Sequence, residues 1–504
     1  MEMDNSVSCF FLSLLLLFFV FKIFRSRIFF KNLPPSPLAL PVIGHFHLLK
    51  PRMYRSLQNL SINYGPIFSL RFGHRLVIVV SSPSAVEECF TKNDVVLANR
   101  PKFQVGKYIS YNNTTIPQSS YGDHWRNLRR IVAVEVFSNA RLNKFLSIRK
   151  DEIKRLIIKL SHRSSQDFAK VELRSLFKEL TFNMIVRMIT GKRYYGDDVG
   201  DKEEARQFRA LIVEVISYAG ASNPRDFLPI LNWIDGGRFE KKLISMGKRT
   251  DEFVQRLVDE HRNKKDNSES RNTMIDHLLA LQETEPDHHT DEIIKGLAVS
   301  MIFAGTDTSA VTLEWAMSNL LNNQQALMKA RDEIDTQVGS ECLLDEPHVS
   351  KLPYLQNIFK ETLRLYPAAP LLGAHEASDD CTIGGYDVPR GTIVLVNAWA
   401  MHRDPTLWDD PLKFKPERFD NGGGEGFNTY KFTPFGTGRR ACPGAGLAQR
   451  IVCLALGTLI QCFEWKRVTD EEIDMTEGRG LTMPKLEPLE AMCKARPIAK
   501  KIVA

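Results

Sequence analysis

Cysteine is scarce in this chain: eight residues in 504, at Cys9, Cys89, Cys342, Cys381, Cys442, Cys453, Cys462 and Cys493. None stands in a C-x-x-C pair, so neither a disulfide framework nor a zinc finger is expected. The expected setting is reducing, with most thiols acting as small buried apolar groups. A strong charge imbalance is missing as well. Lysine and arginine total 67 against 60 acidic side chains, and the excess of +7 is spread along the chain. With no basic arm, the chain gives no reason to expect a nucleic-acid partner. No fixed-period repeat occurs, which excludes solenoids and propellers. No convincing flavin or nicotinamide fingerprint appears either, so any electrons the protein uses must come from a second protein.

One long apolar run is present, at the N-terminus. Val7 to Phe21 reads VSCFFLSLLLLFFVF, apolar apart from two serines, and Ile23 and Phe24 extend it past Lys22, nearly enough to span a bilayer core. The acidic start at Glu2 and Asp4 and the bulky Phe-Val-Phe end argue for a retained anchor over a cleaved signal. Lys22, Arg25, Arg27 and Lys31 follow the run, so the positive-inside rule puts the body in the cytosol. The sequon Asn113-Thr-Thr115 should then carry no glycan. Leu33-Pro-Pro-Ser-Pro-Leu-Ala-Leu-Pro41 reads as an extended, semi-rigid spacer. The expected division is an anchor with its basic flank over 1–32, a proline-rich linker over 33–41 and a catalytic body over 42–504.

Within the body, Ile67–Phe72 and Leu76–Val80 predict a hairpin around Gly73-His74-Arg75. Helical periodicity follows at 84–91, 120–137, 141–162, 173–190, 202–219, 238–265, 291–321, 324–337, 349–365 and 444–462, with strand-like runs near 392–396, 463–468 and 486–492. The polar stretch 263–272 and Gly422-Gly-Gly-Glu-Gly426 read as loops. The fold class expected is mainly α with small β-sheets, as one large domain.

The strongest chemical signal is Phe435-Gly-Thr-Gly-Arg-Arg-Ala-Cys-Pro-Gly444. A cysteine offered to iron must be a thiolate, with backbone N–H groups and little water around the sulfur. Gly436, Gly438 and Gly444 permit close backbone approach, Pro443 restrains the chain, and Arg440 offers a cation to a carboxylate on a cofactor edge. The apolar helix that follows points its N-terminal dipole at the sulfur. The competing reading of Gly436-x-Gly438-x-x-Ala441 as a dinucleotide loop lacks a preceding strand, and Pro443 interrupts its exit.

Three further motifs carry chemistry. Glu361-Thr-Leu-Arg364 sets a carboxylate and a guanidinium on one helical face. Ala304-Gly-Thr-Asp-Thr-Ser309 interrupts a long apolar helix with residues that break helix preference. Such hydroxyls can bond back one turn and bend the helix, or relay protons to a dioxygen molecule under reduction. Trp125 and Arg129 lie one turn apart, so an indole N–H and a guanidinium can reach one anion.

On these motifs the chain resembles the cytochrome P450 family over nearly its whole length. The complete F-x-x-G-x-R-x-C-x-G signature at Phe435, Gly438, Arg440, Cys442 and Gly444 carries most of the likeness. The resemblance implies the cytochrome P450 fold behind one N-terminal transmembrane helix in the endoplasmic reticulum membrane. Its cofactor would be heme b, with Cys442 as axial thiolate and Phe435 packed beside it. It implies Thr308 as the proton relay with Asp307 as the neighbouring acid, and Trp125, Arg129, Arg440 and His375 as contacts of the heme propionates. Glu361, Arg364 and Arg418 of Pro416-Glu-Arg-Phe419 would form a structural network. Electrons would come from NADPH–cytochrome P450 reductase, docked on basic residues such as Arg126, Arg130 and Arg439. The substrate pocket would draw on 103–121, 212–230, Ser300 to Ala304, Leu371 to Gly373, Leu481 and Thr482.

Closer likeness, through Cys442 to Arg450 and Gln461 to Trp465, is to plant enzymes of the isoflavone 2'-hydroxylase and sesamin synthase group. The implied activity is NADPH- and O2-dependent hydroxylation of a small hydrophobic specialised metabolite, phenylpropanoid- or isoflavonoid-like or terpenoid. The alternatives are a heme-thiolate isomerase needing no reductant and a non-catalytic membrane heme-binding protein.

Overall fold

A computed structural model describes Ser13 and residues 32–218, 223–263, 273–423 and 427–503. The expected N-terminal anchor and most of the polar loop 263–272 lie outside the described residues. Two other stretches, Asp291–Asn322 and Ala445–Cys462, are long and apolar enough to cross a membrane, yet 72% of each apolar window is buried within the fold. Both are core helices.

The expected hairpin forms from Ile67–Phe72 and Arg75–Val80. It is extended by Ile393–Val396, which runs parallel to the second strand, and then by the short strand His375–Glu376. A three-stranded sheet orders Ala169–Glu172, Glu490–Ala495 and Phe463–Lys466, and Cys381–Ile383 pairs with Tyr386–Val388. Helices make up the rest. Leu173–Thr190 matches its expected bounds because both ends are specified locally: the Glu172 carboxylate accepts from Ser175 N–H at the start, and Gly191 takes a left-handed conformation at the stop.

Several boundaries depart from periodicity for identifiable reasons. The stretch 141–162 is two helices, Asn139–Lys144 and Leu146–Ser164. The fully buried Arg149 guanidinium takes the Leu142 carbonyl at 2.9 Å, the oxygen a continuous helix would have given to residue 146. The stretch 349–365 starts as a helix only at Pro353, where the missing N–H is no loss. The strand expected over 486–492 begins at Glu490: Pro488 has no N–H, and the Leu489 amide donates to Glu314 at 2.9 Å. The helices Met53–Tyr64 and Met274–Thr284 had no clear periodic signal and are additions. The glycine stretch at 422 continues a 3-10 turn, Pro416–Gly423. The Asn113 side-chain oxygen is buried against Gly106, so the sequon is a poor reporter of topology.

Candidate active site

The loop carrying Cys442 is closed by its own backbone, with Cys442 N–H donating to the Phe435 carbonyl at 2.9 Å and Gly436 N–H to Thr433 at 3.0 Å. Gly436 and Gly438 take left-handed φ of 69° each. At Gly438 a Cβ would also come within 2.5 Å of an Asp94 carboxylate oxygen, so only glycine satisfies both demands. Gly444 differs from expectation. Its φ is an ordinary −88°, and it serves as the N-cap of Ala445–Cys462. The Cys442 sulfur is open to a cavity of about 310 Å³ and enclosed by protein elsewhere. Enclosure pushes the thiol upward, while the Gly444 and Ala445 N–H groups and the nearby Arg129 charge pull it down.

On the same cavity, the long apolar helix is broken into Asp291–Gly305 and Asp307–Asn322, with Thr306 between them. The Thr306 carbonyl lies 2.8 Å from the Thr181 hydroxyl, which can donate to it, and its in-helix partner Ala310 N–H is stretched to 3.4 Å. Gly305 packs so closely on Leu173–Thr190 that a Cβ would stand 2.9 Å from Ile185 Cδ1. Thr308 donates to the Ala304 carbonyl at 2.8 Å. Its oxygen lone pairs remain for a further donor on the cavity wall it shares with Ala304 and Gly305. Asp307 does not line this cavity. Its carboxylate accepts from the Thr482 hydroxyl at 2.5 Å.

One edge of the cavity is basic. Arg100, Arg129 and Arg440 line it, and the lining holds no Asp or Glu. Arg440 donates to the carbonyls of Ala98, Ile116 and Ser119 and lies 4.4 Å over the Trp125 ring. Arg129 donates to Ala441 at 2.9 Å, and Arg100 to Gly373 and Ala374 at 2.7 and 2.6 Å. No ion pair to an acid forms at any of them among the described residues. Burial pushes Arg100 down to about 10; burial and the charges of Arg100 and Arg129 push Arg440 down to about 9. Three crowded guanidiniums without a carboxylate call for an anionic ligand.

Of the expected site residues, the fold brings Cys442, Phe435, Trp125, Arg129, Arg440 and Thr308 to one cavity. The Trp125 indole N–H donates to Ile116 at 3.3 Å. His375 is not on the cavity wall. It is buried, its Nδ1 donates to Leu97 at 2.7 Å, and burial and Arg100 hold it well below the usual histidine range. Among the described residues, Leu371 to Gly373, Leu481, Thr482, 212–218 and 223–230 do not line this cavity, whereas Ala368 and Ala369 do. Arg100 was missed, and a lone arginine before Pro101 carries no sequence signal. The candidate docking cations each face an acid: Arg126 pairs with Asp123, Arg130 lies 3.8 Å from Glu285, and Arg439 lies 3.2 Å from Asp94.

A thiol aimed into an apolar space suits a metal that favours sulfur, and an acid-free arginine edge suits a macrocycle bearing carboxylates. Together they define the heme-thiolate class. The comparisons agree: the family model described as Cytochrome P450 matches residues 34–489, and the chain belongs to the cytochrome P450 family. It is 59% identical over 495 residues to cytochrome P450 81Q32 of Catharanthus roseus, covering 98% of both chains. It is 54% identical over 499 residues to isoflavone 2'-hydroxylase of Glycyrrhiza echinata, covering 99% of this chain and 98% of the relative. Identity to the (+)-piperitol/(+)-sesamin synthase of Sesamum radiatum is 56% over 474 residues, covering 94% and 92%. A zebra fish cytochrome P450 structure with abiraterone superimposes with a TM-score of 0.74 at 26% identity, covering 88% of this chain and 99% of that one. The protein is a cytochrome P450 monooxygenase that uses heme b, dioxygen and a small organic substrate.

Proposed function

We propose that this enzyme hydroxylates a small hydrophobic plant specialised metabolite, of the phenylpropanoid, isoflavonoid-like or terpenoid kind. The electrons would come from NADPH through NADPH–cytochrome P450 reductase. The observation that carries the reading is the helix break with its hydroxyl, Thr308, on the wall of the cavity that Cys442 also lines. The relatives named for isoflavones and sesamin support the substrate class. In the net reaction, a substrate C–H bond, dioxygen, two protons and two electrons give a C–OH group and water. Heme, when bound, supplies the dioxygen activation that side chains lack.

The residues around it hold the geometry and move protons. Cys442 would hold the heme iron, with the Gly444 and Ala445 amides and Arg129 favouring its anionic form against the larger opposing effect of burial. Arg100, Arg129 and Arg440 would pair the two propionates, with Trp125 as the flat surface under Arg440. Apolar walls at Ile116, Leu297, Met301 and Ala368 would exclude water and orient an apolar substrate. Thr308 would pass protons, its hydroxyl already ordered on Ala304, with Asp307 as their source. We further propose residence in the endoplasmic reticulum membrane by one N-terminal span, with the catalytic body cytosolic.

The test uses microsomes carrying the full chain. A reduced, carbon-monoxide-bound spectrum should show the thiolate-ligated Soret band. Turnover of a flavonoid, lignan and terpenoid panel should require both NADPH and reductase. Product formed without NADPH would instead establish the isomerase.

A further inference from the structure

We propose that Thr482 is a positioning residue for Asp307, docking its carboxylate outside the cavity in the resting position from which proton delivery to Thr308 begins. The proposal rests on the reading of Asp307 as the acid of the relay. The Thr482 hydroxyl donates to Asp307 Oδ2 at 2.5 Å. Adjacent helical residues point about 100° apart, so Thr308 faces the cavity while its neighbour Asp307 is turned to the 480–485 turn.

That turn is fastened through Met483. Met483, 1% exposed, donates its N–H to the cavity-wall residue Ala368 at 3.1 Å. Its carbonyl accepts from the Trp315 indole at 2.7 Å, two turns further along the helix that Asp307 begins. Gly478 N–H donates to the Pro484 carbonyl at 2.6 Å. Thr482 is thereby fixed relative to both the helix and the cavity wall, and any motion between docked and released states belongs to Asp307. Asp307 makes no ion pair among the described residues. A single bond to a neutral hydroxyl holds it, a weaker tie than a forked guanidinium pair, so the carboxylate is held in place without being locked. Sitting at the break, beside a stretched Ala310 to Thr306 bond, it has a first turn that can yield. In each cycle Asp307 leaves Thr482 as the carboxylate, takes a proton from solvent, gives one towards the Thr308 hydroxyl and docks again as the carboxylate. No net proton is retained.

The experiment compares T482V, T482S and D307N in the full-length enzyme with reductase in membranes. It measures product formed per NADPH consumed, the solvent deuterium isotope effect on kcat, and the infrared carboxylate stretch in protein labelled with 13C-aspartate. The band missing in D307N identifies Asp307. Expected are a several-fold lower product yield per NADPH in T482V, a larger isotope effect and a shifted Asp307 band, all restored by T482S. Wild-type yield, isotope effect and band position in T482V, alongside an impaired D307N, would overturn the docking role and leave the acid role standing. An unimpaired D307N would overturn the acid role and the proposal with it. Should T482V fail to incorporate heme, T482A against T482S carries the same comparison.

Discussion

Cys442 is set apart from its fellow cysteines by its company. Burial pushes Cys453 and Cys462 up to about 12 against the charges of Lys360 and Arg496, and Cys493 up to about 11 against the Ser164 hydroxyl and Arg163. At Cys442 two backbone amides and Arg129 work against the burial. Removing Arg129 takes away both that charge and a propionate partner. R129L should lower heme retention or turnover about 10–100-fold, as for other outer-sphere changes at metal sites, checked by heme per polypeptide and the reduced carbon-monoxide spectrum. T308A should keep the Soret band and lose about 10²-fold or more in product formation if the hydroxyl relays protons, while NADPH consumption continues. The cysteine loop was legible in the sequence because its glycines, arginine and proline surround the thiol within ten residues. Arg100 and the turning of Asp307 away from the cavity were not, because each depends on a distant partner: Gly373 and Ala374, and Thr482.

Among the elements, the broken helix is where sequence and packing meet. Gly305 next to two threonines and an aspartate announced a local disturbance. Its form, a clean interruption at Thr306, comes from Leu173–Thr190: Thr181 supplies the outside hydroxyl, and the Ile185 side chain packs where a Cβ at Gly305 would crowd it. G305A should therefore push the Ile185 side chain aside, costing about 1 kcal/mol, the low end of overpacking. A lowered denaturation midpoint and a changed substrate binding spectrum would show it. Val132–Val136 adds a π-helical turn after Asp123–Ile131, with Val132 on the cavity wall. Period-3.6 reasoning merged the two into one helix.

Over the whole molecule, Glu361 and Arg364, both fully buried, pair bidentately at 2.7 and 2.8 Å, and Arg418 reaches Glu361 at 3.2 Å. Arg364 also donates to the carbonyls of His402 and Pro411, both at 2.7 Å, tying the helix Pro353–Leu365 to the chain leading into the cysteine loop. E361A should cost about 3–5 kcal/mol, since it strands buried cations; urea unfolding with heme release measures it. His402 sits beside this network. Burial, then the charges of Arg364 and Arg403, push it down to about 3, and its Nε2 accepts from Thr433 N–H at 3.0 Å, so the folded state holds the neutral ring. The unfolded chain takes up that proton near pH 6.5, so stability from His402 is complete above 6.5 and drains away as pH falls towards 3. The urea midpoint should drop between pH 7.5 and 5, and H402F should flatten that slope. An unchanged slope in H402F would place the titration elsewhere.

What the sequence by itself determined is the chemistry that is local in the chain: the thiol with its glycines and cation, the hydroxyl at a disrupted helix, the Trp125–Arg129 pair, and helices such as Leu173–Thr190 whose caps lie within a few residues. Tertiary structure alone decided which of these meet. It placed Cys442 and Thr308, 134 positions apart in number, on the lining of one cavity, drew Arg100 to the basic edge, and gave the Asp307 carboxylate to Thr482. The physical reason is reach. A cap or a turn is specified by neighbours within one helical turn, whereas the direction of a buried polar side chain is set by whichever donor or acceptor the packed fold brings within about 3 Å.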